Sequence, residues 1–163
     1  MRSIFAIALV AWCSFWTAHA SAEDAATQLI GTWKLVSWLT RFDGGETVEP
    51  YGPNAKGRLV LTPDRRWIII LTAADRKPAK SVEEKAALLD SVLAYSGVYT
   101  VEADKITTQV DVSSNEIYTG ANQTQTRFFR IEGNTLTLRT PEIVSAVRPG
   151  QKAVGTITFE RER

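Results

Sequence analysis

Tyr95-Ser96-Gly97-Val98-Tyr99-Thr100-Val101-Glu102, then Ala103-Asp104-Lys105, then Ile106-Thr107-Thr108-Gln109-Val110-Asp111-Val112 is the stretch whose reading decides the fold. Tyr95, Gly97, Tyr99 and Val101 alternate with Ser96, Val98 and Thr100. Ile106, Thr108, Val110 and Val112 alternate with Thr107, Gln109 and Asp111. A period of two marks a strand with one face turned to a core. The polar triplet between the runs reads as a turn, so the segment is an antiparallel hairpin.

The same signals recur on both sides. Residues 31–39, 58–61 and 66–72 are rich in β-branched and aromatic residues. So are 125–131, 135–140 and 154–161. Asp43-Gly44-Gly45, Thr62-Pro63-Asp64-Arg65 and Glu132-Gly133-Asn134 are turns. The run Trp67-Ile68-Ile69-Ile70-Leu71 is continuously apolar, which predicts burial on both faces. One helix interrupts the strands. Ser81 as N-cap with Glu84 three residues on is a capping box, so Glu83 and Glu84 serve the helix start. Val82, Ala86, Leu89 and Leu93 follow it at near-helical spacing, on a face predicted to cover the third strand or close one end of the fold. Residues 113–124 and 141–152 read as long loops. Eight strands and one inserted α-helix predict an all-β, eight-stranded antiparallel barrel, with a β-sandwich as the alternative. Such a barrel has room inside for side chains or one small ligand.

The chain has 163 residues, a formal charge of +1, 44% hydrophobic and 23% charged residues. That length suits one domain. The near-neutral charge gives no electrostatic case for nucleic acid or an anionic membrane as partner. Residues 1–22 read as a signal peptide: Arg2, an apolar run over 4–16, and small residues that allow cleavage after Ala20 or Ala22. The apolar run is shorter than the ~20 residues a membrane span needs. Trp12 before Cys13 does not fit a lipidation site. Export, periplasmic or secreted, without stable membrane anchoring, is the expectation, with residues 23–163 as the barrel domain.

Removing 1–22 takes away Arg2 and no acid, leaving 18 basic residues against 18 acidic. It also takes the only Cys (Cys13), His (His19) and Met (Met1). The remaining chain has no disulfide, no thiol nucleophile, no imidazole base, and no His or Cys to hold a metal. No cofactor is expected. Asn122-Gln123-Thr124 matches a glycosylation sequon, which acts only in a eukaryotic secretory route.

Several segments, in order, carry a family likeness: Leu29-Ile30-Gly31-Thr32-Trp33-Lys34-Leu35-Val36-Ser37, Tyr51-Gly52-Pro53-Asn54-Ala55-Lys56-Gly57, Leu61-Thr62-Pro63-Asp64, Leu93-Ala94-Tyr95-Ser96-Gly97-Val98-Tyr99 and Phe159-Glu160-Arg161. On these the chain resembles the bacterial lipocalin-like domain family of calycin-type barrels. The resemblance implies that Trp33, in the Gly31-x-Trp33 pattern, plugs the closed end of a barrel and that Arg161 packs across its ring. It also implies binding of a small hydrophobic molecule. Where relatives carry a His-His pair, this chain has Thr108-Gln109, so no histidine-dependent role transfers.

Trp38, Trp67, Tyr95, Tyr99, Gln109, Arg127 and Phe129 are the candidate ligand-binding residues, set against ordinary core packing or a solvated outer face. Phe128 and Phe129 must point oppositely. Gln109, Asp111, Arg127 and Arg139 are the strand polar groups whose direction matters, because an inward arginine suits a carboxylate. The leading expectation is a binding protein with no catalytic residues. An isomerase or cyclase using a buried Asp111 beside Tyr95 or Tyr99 is the alternative, as is a packed structural barrel with no ligand. A metal-free chain is expected to keep its folding and ligand binding in the presence of chelators. Loss of either on chelation, followed by circular dichroism, contradicts that expectation.

Overall fold

The computed structural model describes residues 22–163 apart from 121, 122, 146, 147 and 149. Residues 1–21 of the expected signal peptide, with Cys13 and His19, and Asn122 of the sequon match lie outside the described residues. In chain order the elements are α1 (Ala22–Leu29), β1 (Gly31–Phe42), β2 (Thr47–Val48), β3 (Lys56–Leu61), β4 (Arg66–Thr72), α2 (Val82–Asp90), β5 (Val92–Glu102) and β6 (Lys105–Ser113). A 3-10 turn (Glu116–Tyr118) follows, then β7 (Thr124–Glu132), β8 (Thr135–Arg139), β9 (Ile143–Val144) and β10 (Lys152–Arg161).

The eight long strands pair antiparallel, neighbour to neighbour, and β1 also pairs with β10. That last pairing closes the sheet into the predicted eight-stranded barrel and removes its edges. The two-residue strands β2 and β9 extend β1 and β10. The antiparallel course puts the tight turns β3–β4, β5–β6 and β7–β8 at one end. The long connections β1–β3, β4–β5, β6–β7 and β8–β10 all gather at the other.

Inward residues from every strand fill the barrel towards the tight-turn end. Trp33, Leu59, Leu61, Trp67, Ile69, Leu71, Tyr99, Ile106, Leu136, Leu138 and Phe159 are essentially inaccessible. Each such side chain contributes on the order of 2 kcal/mol through burial. Gly97 lies among them, at a place with no room for a side chain: a Cβ would lie 2.2 Å from the Gln109 carbonyl oxygen.

Three expectations are corrected. In β4 only Trp67, Ile69 and Leu71 are buried, while Ile68 and Ile70 are 42% and 51% exposed. Their β-branched shape serves the strand rather than a second core. The helix α2 forms with its predicted cap, Ser81 Oγ accepting from Glu84 N at 3.2 Å, but buries no residue. Val82 and Leu89 face solvent and Leu93 belongs to β5, so α2 flanks the open end without packing on β4. Val112 does not share the face of Val110. Asp111 is an extra residue in β6, since Gly97 pairs with Val110 and Ser96 with Val112. This bulge turns Val112 outward.

A second helix, α1, was not expected from the lead-in before Gly31. It lies across the tight-turn end with Ala26 and Leu29 buried. Trp33 Nε1 donates to the Leu29 carbonyl at 2.8 Å. The Arg161 guanidinium sits 4.0 Å from the centre of the Trp33 ring. Its Nη1 donates to the Ile30 carbonyl at 2.7 Å and its Nη2 to the Gln28 carbonyl. The last turn of α1 holds no basic residue, so Arg161 supplies the cation that a helix C-terminus favours. Gly31 has φ +140°, and a Cβ on it would lie 2.7 Å from Arg161 Nη1. The arginine therefore needs glycine at that place as well as tryptophan at 33. Arg161→Ala is expected to lower unfolding stability in urea by roughly 2–3 kcal/mol, from lost charge-assisted hydrogen bonds and ring contact. An unchanged midpoint contradicts this account of the closed end.

Candidate ligand-binding site

The open end of the barrel is shaped by a second bulge. In β1, Leu35 pairs with Phe159 and Ser37 with Thr158, which leaves Val36 extra. Val36 is 59% exposed. The shift reverses the alternation set by Trp33 and Leu35, so Trp38, opposite Ile157, points inward where strict alternation would place Ser37. Thr40 follows on the same face, opposite Gly155 of β10. Gly155 keeps this wall open: a Cβ would lie 3.2 Å from Thr140 and 3.8 Å from Trp38 Nε1.

Across the barrel, β7 presents Gln125, Arg127, Phe129 and Ile131 inward. Arg127 pairs with Ile106 and Phe129 with Leu138, both deeply buried. Phe129 and Ile131 pack on the core, whereas Gln125 and Arg127 stand above it and line a cavity of about 420 Å³. Trp38, Thr40, Ile117, Tyr118, Thr140, Ile143 and Val144 form most of the remaining wall. Volume and lining fit a small-molecule site: mostly apolar, with few polar groups. A depression of about 460 Å³ is built from the β4–β5 connection and α2, with Arg76, Lys77 and Lys80 beside Ala79, Ala87 and Leu88, and not from the barrel wall.

Aromatic rings connect cavity and core. Trp67 stacks on Tyr95 at 6.0 Å between centroids, and Tyr95 meets Tyr118 at 5.0 Å. Trp38 meets Tyr51 edge-on at 4.9 Å. Burial pushes the Tyr95 and Tyr51 hydroxyls up to about 12, so both stay protonated donors near neutral pH. Burial also raises Tyr118, and the charge of Arg127 opposes that rise at both Tyr95 and Tyr118. The buried Trp67 Nε1–H bears on the Tyr95 hydroxyl without closing a hydrogen bond to any described residue. Arg127 Nη1 donates to the Thr126 carbonyl at 2.8 Å and Nη2 to Gln125 Oε1 at 3.1 Å.

Of the residues named from sequence, Trp38 and Arg127 line the cavity, while Trp67, Tyr95 and Phe129 lie against it or beneath it. Tyr99 belongs to the closed end, its hydroxyl donating to the Thr62 carbonyl at 3.2 Å. Gln109 is a correction: it faces solvent and accepts from Thr124 Oγ1 at 2.8 Å. Arg139 is exposed and lies over the outward Phe128 ring at 5.6 Å. Asp111 is also outside. Its carboxylate accepts from Ser96 Oγ at 2.7 Å and Arg66 Nη2 at 2.6 Å, which hold its pKa below the usual value. An acid–base role that needs a buried Asp111 has no footing here. Tyr51, Ile117, Tyr118, Ile143 and Val144 were not picked out from sequence. The signal was present, since Ile117-Tyr118 and Ile143-Val144 are apolar pairs within stretches read as loops.

The two most shifted tyrosines set an alkaline limit. Their folded pKa values exceed the ordinary value of 10, so the folded state retains protons that the unfolded state releases. Their stabilising contribution is complete below about pH 10 and falls as pH rises through about 12. Tyrosinate absorbance is expected to show Tyr51 and Tyr95 titrating last of the four tyrosines, together with unfolding. Full titration near pH 10 with the fold intact contradicts their burial.

Residues 30–162 match the model of the lipocalin-like domain family. No curated protein matches the chain. Among solved structures, a redesigned beta barrel, mFAP1, bound to DFHBI is similar at 15% identity and a TM-score of 0.37, over 84% of this chain and 98% of that one. The family match spans nearly all of the described residues, and the chain belongs to the lipocalin-like domain family.

Proposed function

We propose that this protein is an exported carrier that holds a small, largely apolar molecule in the open end of its barrel. The observation that carries the reading is the cavity of about 420 Å³ between Trp38 and Arg127, above a core that fills the rest of the barrel. Ile117, Ile143 and Val144 are 50%, 51% and 68% exposed at its rim, an apolar entry for an apolar guest. Binding is passive: the guest displaces water that the apolar wall holds poorly. Export rests on residues 1–22 alone, with their charged start, apolar run and small residues before Glu23. Membership of a lipocalin-like family agrees with barrel binding, as an analogy of fold.

Native mass spectrometry of protein recovered from the export compartment without detergent tests both halves. The expected result is a chain beginning at Ser21 or Glu23, carrying an added mass that leaves on denaturation. Retention of residues 1–22 in the cell interior contradicts export. A bare chain that also fails to bind decanol saturably in a tryptophan-fluorescence titration contradicts carriage.

A further inference from the structure

Among the described residues, Arg127 is the only charged side chain lining the cavity, and none of the other lining residues is acidic. It points inward, opposite the fully buried Ile106. Several other arginines are matched by carboxylates, among them Arg66 by Asp111, Arg58 by Glu162 and Arg148 by Glu46. Arg127 forms no ion pair with a described residue. Its two hydrogen bonds go to neutral oxygens, on Thr126 and Gln125, and a guanidinium has further donors to offer. A half-buried cation without a counter-ion is costly to keep. Tyr118 lines the same cavity, and its hydroxyl lies within reach of the Arg127 charge.

We infer that Arg127 is the head-group receptor of the cavity and that the ligand is an amphiphilic monocarboxylate, its carboxylate on the guanidinium and its apolar body against Trp38, Ile117, Ile143 and Val144. This rests on the carrier reading above and gives that reading a ligand class. The planar fork of a guanidinium matches the two oxygens of a carboxylate. A phosphate head brings up to two charges and would find a single cation here. Gln125 is a positioning residue, its Oε1 holding one arm of the guanidinium at 3.1 Å.

The test compares decanoate with decanol, two chains of equal length that differ in the charge of the head. Both are titrated near neutral pH into the chain lacking residues 1–22, with tryptophan fluorescence as readout. Wild type is expected to bind decanoate about tenfold or more tighter than decanol, the scale of a partly desolvated charge-assisted contact. Arg127→Gln is expected to remove that preference, with decanoate affinity falling about tenfold or more further than decanol affinity. Tyr118→Phe is expected to weaken decanoate selectively and less than Arg127→Gln. Equal or tighter binding of decanol by wild type overturns the inference, and that comparison needs no variant to fold. Equal loss of both ligands in Arg127→Gln also overturns it and assigns Arg127 to structure. Binding of neither ligand defeats the carrier reading itself, a result distinct from the other two.

Discussion

The contact of Arg161 with the Trp33 ring, at 4.0 Å, is the constraint on which the rest of this barrel depends. It joins the last strand to the first, and so fastens the pairing that closes the sheet. The same guanidinium takes the Gln28 and Ile30 carbonyls, which ties α1 across the end. Gly31 beside it has φ +140°, a backbone angle that favours glycine, and leaves the space that Nη1 occupies. One side chain thus accounts for the Gly31-x-Trp33 pattern, the extra helix and the sealed end. With that end sealed, access to the interior falls to the end where the long connections gather.

The open end depends on two departures from regular alternation. The extra Val36 brings Trp38 into the barrel, and the extra Asp111 swings Val112 out. Bulges commonly re-aim side chains in this way, next to functional sites. Each does so here without loss of pairing on either side. Asp111 also ties β4 to β6 from outside through Arg66, so the acid that alternation left as a catalytic possibility is a surface clamp.

The architecture was legible because its signal is periodic. The Tyr95–Val112 hairpin, the turns at Pro63, Asp104 and Gly133, and the capping box at Ser81 each follow from local chemistry, and the barrel follows from their number and spacing. The reach of α2 was not legible. Val82 and Leu89 have helical spacing, but spacing does not state that a partner surface exists, and α2 finds none. The site was legible in part. Trp38 and Arg127 are large or charged residues on strands and draw notice by type alone. Gln109 drew the same notice and faces water, because residue type does not reveal which face of a strand is inside. Tyr118, Ile143 and Val144 reach the cavity only through the folding back of long connections, a long-range event with no local mark beyond apolar pairs in polar stretches.

The central claim is one sealed end, one open end, and a guest held between Trp38 and Arg127. Backbone amide chemical shifts of the labelled chain, followed while decanoate is added, test it most directly. The account predicts saturable shifts at Trp38, Thr40, Tyr118, Gln125, Arg127 and Gly155, with Gly31, Trp33 and Arg161 unmoved. Shifts centred on the sealed end, or on the outer face around Ile68 and Ile70, would contradict it.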